Sequence, residues 1–170
     1  AGIQWADGEN LLCYDTEQGI RIGIAALKDP ITTENLADAI EELKRQGAKF
    51  IVLSLHWGEE LAETPSQEQQ ELARKAIDLG ADVIMGHHAH VVQTMEVYQN
   101  RPIFYSLGNF VFGSSIPKTM LVQAEFSNDS LDLKLIPGTS SGGYTRTLTD
   151  ADAKTQFYQY LEGISFGVSV

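Results

Sequence analysis

Between Arg21 and Met85 short apolar runs alternate with longer stretches in which apolar residues return every three or four positions. Arg21 to Leu27 is a short apolar run and predicts a strand; Leu36, Ile40 and Leu43 then recur at helical spacing behind Thr32 or Thr33 as the N-cap, and Gly47 ends that helix. Phe50 to Leu55 is continuously apolar, the pattern of a strand covered on both faces, and His56 is the first residue after it. Pro65 and Ser66 open a second helix, with Gln69 completing a capping box, Leu72, Ala73, Ala76 and Ile77 as the buried stripe, and Gly80 as the stop. Ala81 to Met85 is another short buried strand, released by Gly86. Strand, helix, strand, helix, strand predicts a parallel βαβαβ unit, whose ligands belong beyond the carboxyl ends of its strands.

The pattern changes beyond residue 90. VVQTMEVY, a polar turn at Gln99 to Arg101 and PIFYSL predict a hairpin, with Pro102 at a strand start or an edge. SLGNFVFGSS reads as a glycine-punctuated loop. MLVQAEF, the turn SNDS and LDLKLI predict a second hairpin with Leu131, Leu133 and Leu135 on one face. PGTSSGGY reads as a flexible connector, and Thr149 or Asp150 caps a last helix that buries Phe157, Tyr160 and Leu161. The fold class is therefore α/β, a parallel first half followed by antiparallel hairpins and a C-terminal helix.

Chemistry concentrates at two of the predicted strand ends. All four histidines lie between His56 and His90: His56 in LSLHWGEE, and His87, His88 and His90 in GHHAH. If the strands around Ile51 and Ile84 are neighbours they lie roughly 5 Å apart, so both groups fall in one place. Imidazole is a common ligand for transition metals, and a tight turn after a buried strand supplies the fixed direction that ligation needs. The cluster therefore points to metal, with Asp, Glu or Asn from elsewhere completing the coordination. Trp57 reads as packing rather than a substrate platform, Glu59, Glu60 and Glu63 as a solvated run, and Asp29 as a turn residue before Pro30.

Composition narrows the partners. A formal charge of −11 argues against nucleic acid, anionic lipid or broad contact with a polyanion. The lone Cys13 forms no internal disulfide, and no apolar stretch approaches the length of a membrane span. HExxH, paired CxxC, GxxxxGK[ST] and GxGxxG are missing, and GTSSG at Gly138 to Gly142 matches GxSxG only within the PGTSSGGY connector rather than at a strand-to-helix elbow, which removes the metalloprotease, zinc-ribbon, serine-hydrolase and nucleotide-loop readings.

LSLHWGEE, AIDLGADVIMGHHAHVVQTMEVY and RPIFYSLGNFVFG together resemble the poly-gamma-glutamate capsule synthesis CapA family, most strongly over residues 51 to 113, with IGIAALKD and LEGISFG extending the likeness. The resemblance implies a layered sandwich similar to calcineurin-like metallophosphoesterases, holding two divalent metals (Mn, Fe or Zn) at strand ends. It matches His56 to an isolated histidine ligand and GHHAH to a late Gly-His-x-His motif with one extra histidine. Keeping the Gly-His pair selects His87 and His90; keeping the His-x-His spacing selects His88 and His90. The histidine left over, His88 if the Gly-His pair is kept, would bond substrate or donate a proton, and Glu60 and Asn109 would orient a ligand or a substrate oxygen.

The Asp, Gly-Asp and Asn-His motifs that supply the family's other ligands do not occur. Residues 1–170 thus read as the C-terminal portion of a CapA-like domain whose N-terminal portion lies outside this chain. The expected activity of the complete protein is metal-dependent phosphoester hydrolysis; the rival expectation is a non-catalytic accessory factor in making or exporting an anionic surface polymer, with this fragment alone inactive. Implied partners are an anionic polymer or phosphoester substrate and other capsule-synthesis proteins. The implied location is outside the cytoplasmic membrane, anchored in the full-length protein.

Overall fold

A computed structural model describes residues 2–128, 130–166 and 168. Its elements run β1 (Leu12–Asp15), β2 (Arg21–Lys28), α1 (Thr33–Arg45), β3 (Phe50–His56), α2 (Gln67–Leu79), β4 (Val83–His87), β5 (Met95–Tyr98), β6 (Arg101–Phe104), β7 (Ile116–Phe126), β8 (Leu131–Ser141), β9 (Tyr144–Thr147) and α3 (Ala151–Ile164). Six strands form one sheet in the order β1-β2-β3-β4-β6-β5, and β7-β8-β9 form a second.

Local chemistry accounts for the helix boundaries. Thr32 caps α1 by accepting from the Asn35 N–H while Asn35 accepts from the Thr32 N–H, and Ser66 and Gln69 do the same for α2. Gly80 ends α2 in the left-handed conformation, and Asp150 caps α3. Because β2, β3 and β4 are parallel neighbours joined by α1 and α2, both helices lie on the same side of the sheet. Their stripes, Leu36, Ala39, Ile40 and Leu43 with Ala73, Ala76 and Ile77, close over Leu53, Leu55, Ile84 and Ile103 in the larger core. Alternate residues of the same strands, including Val83, Met85 and Phe104, point the other way and meet Met120 from β7, Phe157 and Leu161 from α3, and the Leu131, Leu133 and Leu135 face of β8.

The layered α/β class and its parallel first half are as expected, with four differences. β1 was not foreseen, since LCYD is too short for a periodic signal; it pairs antiparallel with β2 and is braced by two 2.7 Å contacts from the Arg21 guanidinium to Asp15. β3 and β4 each run on to a histidine, because their pairing continues to His56 opposite His87. The β5–β6 hairpin joins the large sheet through a parallel pairing of β6 with β4, which begins at Ile103, one residue beyond Pro102. PGTSSGGY is not a flexible connector: Pro137–Ser141 continue β8, and Gly142 and Gly143, at φ 58 and 79, make the two-residue turn into β9. The central Asp129 of the SNDS turn and Gly167 of LEGISFG lie outside the described residues. No helix of the described chain is long and apolar enough to cross a membrane.

Gly86 shows how closely β4 is held. A Cβ on it would meet the Tyr105 carbonyl oxygen at 1.9 Å. We expect Gly86→Ala to destabilise the fold by at least about 3 kcal/mol, the scale of a severe core overpacking, measured by urea unfolding against wild type.

Candidate metal centre

The parallel register sets out the cluster. His56 ends β3 as the Cα partner of His87, which ends β4, and the next two residues carry the chain into a turn that returns at Val92. His88 and His90 sit at φ 97 and φ 63, and Leu61 across the cleft at φ 62. A left-handed conformation is unfavourable for such side chains by roughly 1–2 kcal/mol each, so the fold must hold this turn in place. Several contacts do so. The Leu61 N–H donates to the Ala89 carbonyl at 2.9 Å, the Trp57 N–H donates to the His87 carbonyl at 3.3 Å, and the buried Gln93 amide donates to the Ala62 carbonyl at 2.8 Å.

Three imidazoles share the sheet edge. His88 Nδ1 lies 2.9 Å from His56 Nε2, so a single hydrogen is shared between them, and the His88 and His90 ring centres are 6.2 Å apart. Asn109 Oδ1, an acceptor only, lies 2.8 Å from His90 Nδ1; the Nδ1 hydrogen therefore points at Asn109, and Nε2 of the neutral ring carries the lone pair. That nitrogen is 3.8 Å from Glu60 Oε1. His87 differs in lying on the strand itself, at the end of β4. Burial, and secondarily the charge of His56, push its pKa below the ordinary histidine value.

This donor set suits a divalent transition metal. Two nitrogens bound to one ion at about 2.0–2.1 Å lie roughly 2.9–3.4 Å from each other, and the His56–His88 separation falls at the short end of that range. An orienting carbonyl on the second ring nitrogen, as Asn109 provides for His90, is what ligand histidines commonly have. Among the described residues, however, no three His, Cys, Asp or Glu side chains converge closely enough to hold an ion by themselves.

The remaining sequence candidates fall behind or beside the cluster. Trp57 is buried and stacked on Tyr105, its indole N–H donating to the Tyr105 carbonyl at 3.1 Å, so it packs rather than faces a substrate. Asp29 accepts from the Gly58 N–H at 3.1 Å, and its own N–H donates to the His56 carbonyl, fixing the corner after β3. Glu59, Glu60 and Glu63 are exposed. Two features escaped the sequence reading because only tertiary contact creates them. One is a chain behind Trp57 in which the Tyr105 hydroxyl donates to Glu96 at 2.7 Å and Arg74 pairs with Glu96 at 2.8 Å. The other is a cleft of about 490 Å³ beside His90, completed by Ser114–Lys118 and Tyr160.

Fold and cluster together define an α/β protein with a histidine-lined edge at the carboxyl ends of parallel strands. The chain belongs to the bacterial capsule synthesis protein PGA_cap family, whose model matches residues 6–114. It is 32% identical over 95% of its length to a capsule biosynthesis protein CapA of Bacillus anthracis, covering 44% of that protein, and 37% identical over 70% of its length to the PGA biosynthesis protein CapA of Bacillus subtilis, covering 35%. A probable polyglutamine synthesis accessory protein of Mycobacterium tuberculosis is 29% identical over 54% of the chain and 24% of that protein. The chain thus spans less than half the length of these relatives.

Two outcomes follow for the metal-free protein. Long-range ¹H–¹⁵N spectra should show His90 as the Nδ1–H tautomer, and Asn109→Ala should shift it toward Nε2–H. The unfolded chain takes up a proton at His87 near the ordinary value of 6.5, whereas the folded chain takes it up only at lower pH. The His87 contribution is therefore whole above pH 6.5 and is lost as pH falls from there through the folded pKa; His87→Gln should flatten that part of the stability profile in urea unfolding.

Proposed function

We propose that this protein serves capsule or poly-gamma-glutamate synthesis outside the cytoplasmic membrane, and that its histidine edge is part of a divalent-metal site for phosphoester hydrolysis. The observation that carries the reading is the 2.9 Å approach of His56 Nε2 to His88 Nδ1 beside a His90 whose Nε2 is left free by Asn109. Of the two registers open in GHHAH, this favours His56, His88 and His90 as ligands. Capsule synthesis rests on the family and on the names of the Bacillus relatives. Because the chain spans less than half their length, we take the remaining ligands of a two-ion site to come from residues outside these 170.

When bound, divalent ions would acidify a water and stabilise charge on phosphoryl oxygens. The chain's own residues have separate tasks. Asn109 keeps the His90 lone pair directed outward, Glu60 stands 3.8 Å from that nitrogen, and His87 stays neutral on its strand. A non-catalytic role is favoured by one observation, the accessory designation of the mycobacterial relative.

Calorimetric titration of Mn²⁺ or Zn²⁺ into the full-length protein, with a chromogenic phosphoester assay, tests the proposal. Metal binding and metal-dependent turnover are expected, with both lost in His90→Ala and affinity reduced about 10- to 100-fold in Asn109→Ala. Binding without turnover, together with polymer formation in cells that survives His56→Ala and His90→Ala, would establish the accessory role instead; absence of metal binding would overturn the site.

A further inference from the structure

The cleft beside His90 carries charges of both signs that do not neutralise each other. Its lining includes Glu60 and Glu63 from the loop after β3, Phe112 from the loop before β7, Lys118 from β7 and Tyr160 from α3. Lys118 Nζ rests over the Tyr160 ring, 4.1 Å from its centre, and forms no ion pair with a carboxylate among the described residues. The Tyr160 hydroxyl donates to the Val92 carbonyl at 3.2 Å, which fixes the ring as the floor. Burial raises the phenol's pKa, and the charge of Glu63 raises it further, so Glu63 is felt at the hydroxyl end while Lys118 covers the ring face. Between them the surface is largely apolar, from Leu61, Val92, Phe112, Ile116 and Pro117.

A ligand with one negative charge would meet Lys118 but also two glutamates, and one with a single positive charge would meet the reverse. A molecule carrying both, joined by an apolar segment, satisfies each charge and covers the apolar lining between them. The volume of about 490 Å³ suits a small molecule. We propose that this cleft binds a small zwitterion, its carboxylate at Lys118, its ammonium at Glu63 and Glu60, and its apolar segment against Phe112 and Pro117. The cleft shares His90 and Asn109 with the histidine edge but needs no metal.

The test is calorimetry on chelator-treated protein near neutral pH with three six-carbon probes, 6-aminohexanoate, hexanoate and hexylamine. The zwitterion should bind about 10-fold more tightly than either singly charged probe, the effect of one added charge-assisted contact. Lys118→Met should weaken 6-aminohexanoate about 10-fold and leave hexylamine bound at least as tightly as in wild type, while Glu63→Gln should weaken both. Equal affinity for the three probes, no binding of the zwitterion, or a Lys118→Met variant that binds it like wild type would overturn the proposal. Metal is excluded from these titrations, so failure of metal binding at the histidines leaves their outcome unaltered, and loss of zwitterion preference leaves the metal proposal standing.

Discussion

The parallel pairing of β3 with β4, running in register from Val52 opposite Val83 to His56 opposite His87, is the constraint on which the rest of the site depends. It brings residues about thirty positions apart onto one sheet edge. It is enforced from both faces, by Leu53, Leu55 and Ile84 packing under α1 and α2 and by Val83 and Met85 packing toward β7 and α3. A slip of one residue would reverse which side chains are buried. The positions of the histidines are thus fixed by apolar residues that never touch them.

A second level of order acts on the turn itself. Two histidines in left-handed conformations are unfavourable locally, and the turn persists because the Leu61, Trp57 and Gln93 hydrogen bonds tie it to the facing loop. Behind it, Trp57 leans on Tyr105, Tyr105 on Glu96, and Glu96 on Arg74, a polar chain reaching from the site to α2. The site is therefore positioned before any ligand arrives, which removes an ordering cost from binding.

Features written locally were legible in the sequence. The capping pairs, the glycine stop of α2, the apolar strand runs and the crowding of histidines all depend on neighbours within a few positions, and each predicted element from Arg21 to Met85 exists within about two residues. Ser140 and Thr145 face each other only because Gly142 and Gly143 bend the chain, a signal that was read as looseness rather than as a hairpin. The cleft had no local signature: Glu63, Lys118 and Tyr160 are brought together from a loop, a strand and a helix far apart in the chain. Which of His87 and His88 approaches His56 could not be read from spacing, because it depends on where β4 stops pairing and the left-handed turn begins.

The burial of Trp57 also divides the chain's intrinsic fluorescence into two distinguishable signals. The chain has two tryptophans; Trp57 is 1% exposed against Tyr105, and Trp5 is 66% exposed near the start of the chain. One indole emits from an apolar enclosure next to His56 and is shielded from aqueous quenchers, while the other emits from water. Iodide or acrylamide can silence the second and leave an optical reporter bonded to the backbone that carries the histidine edge.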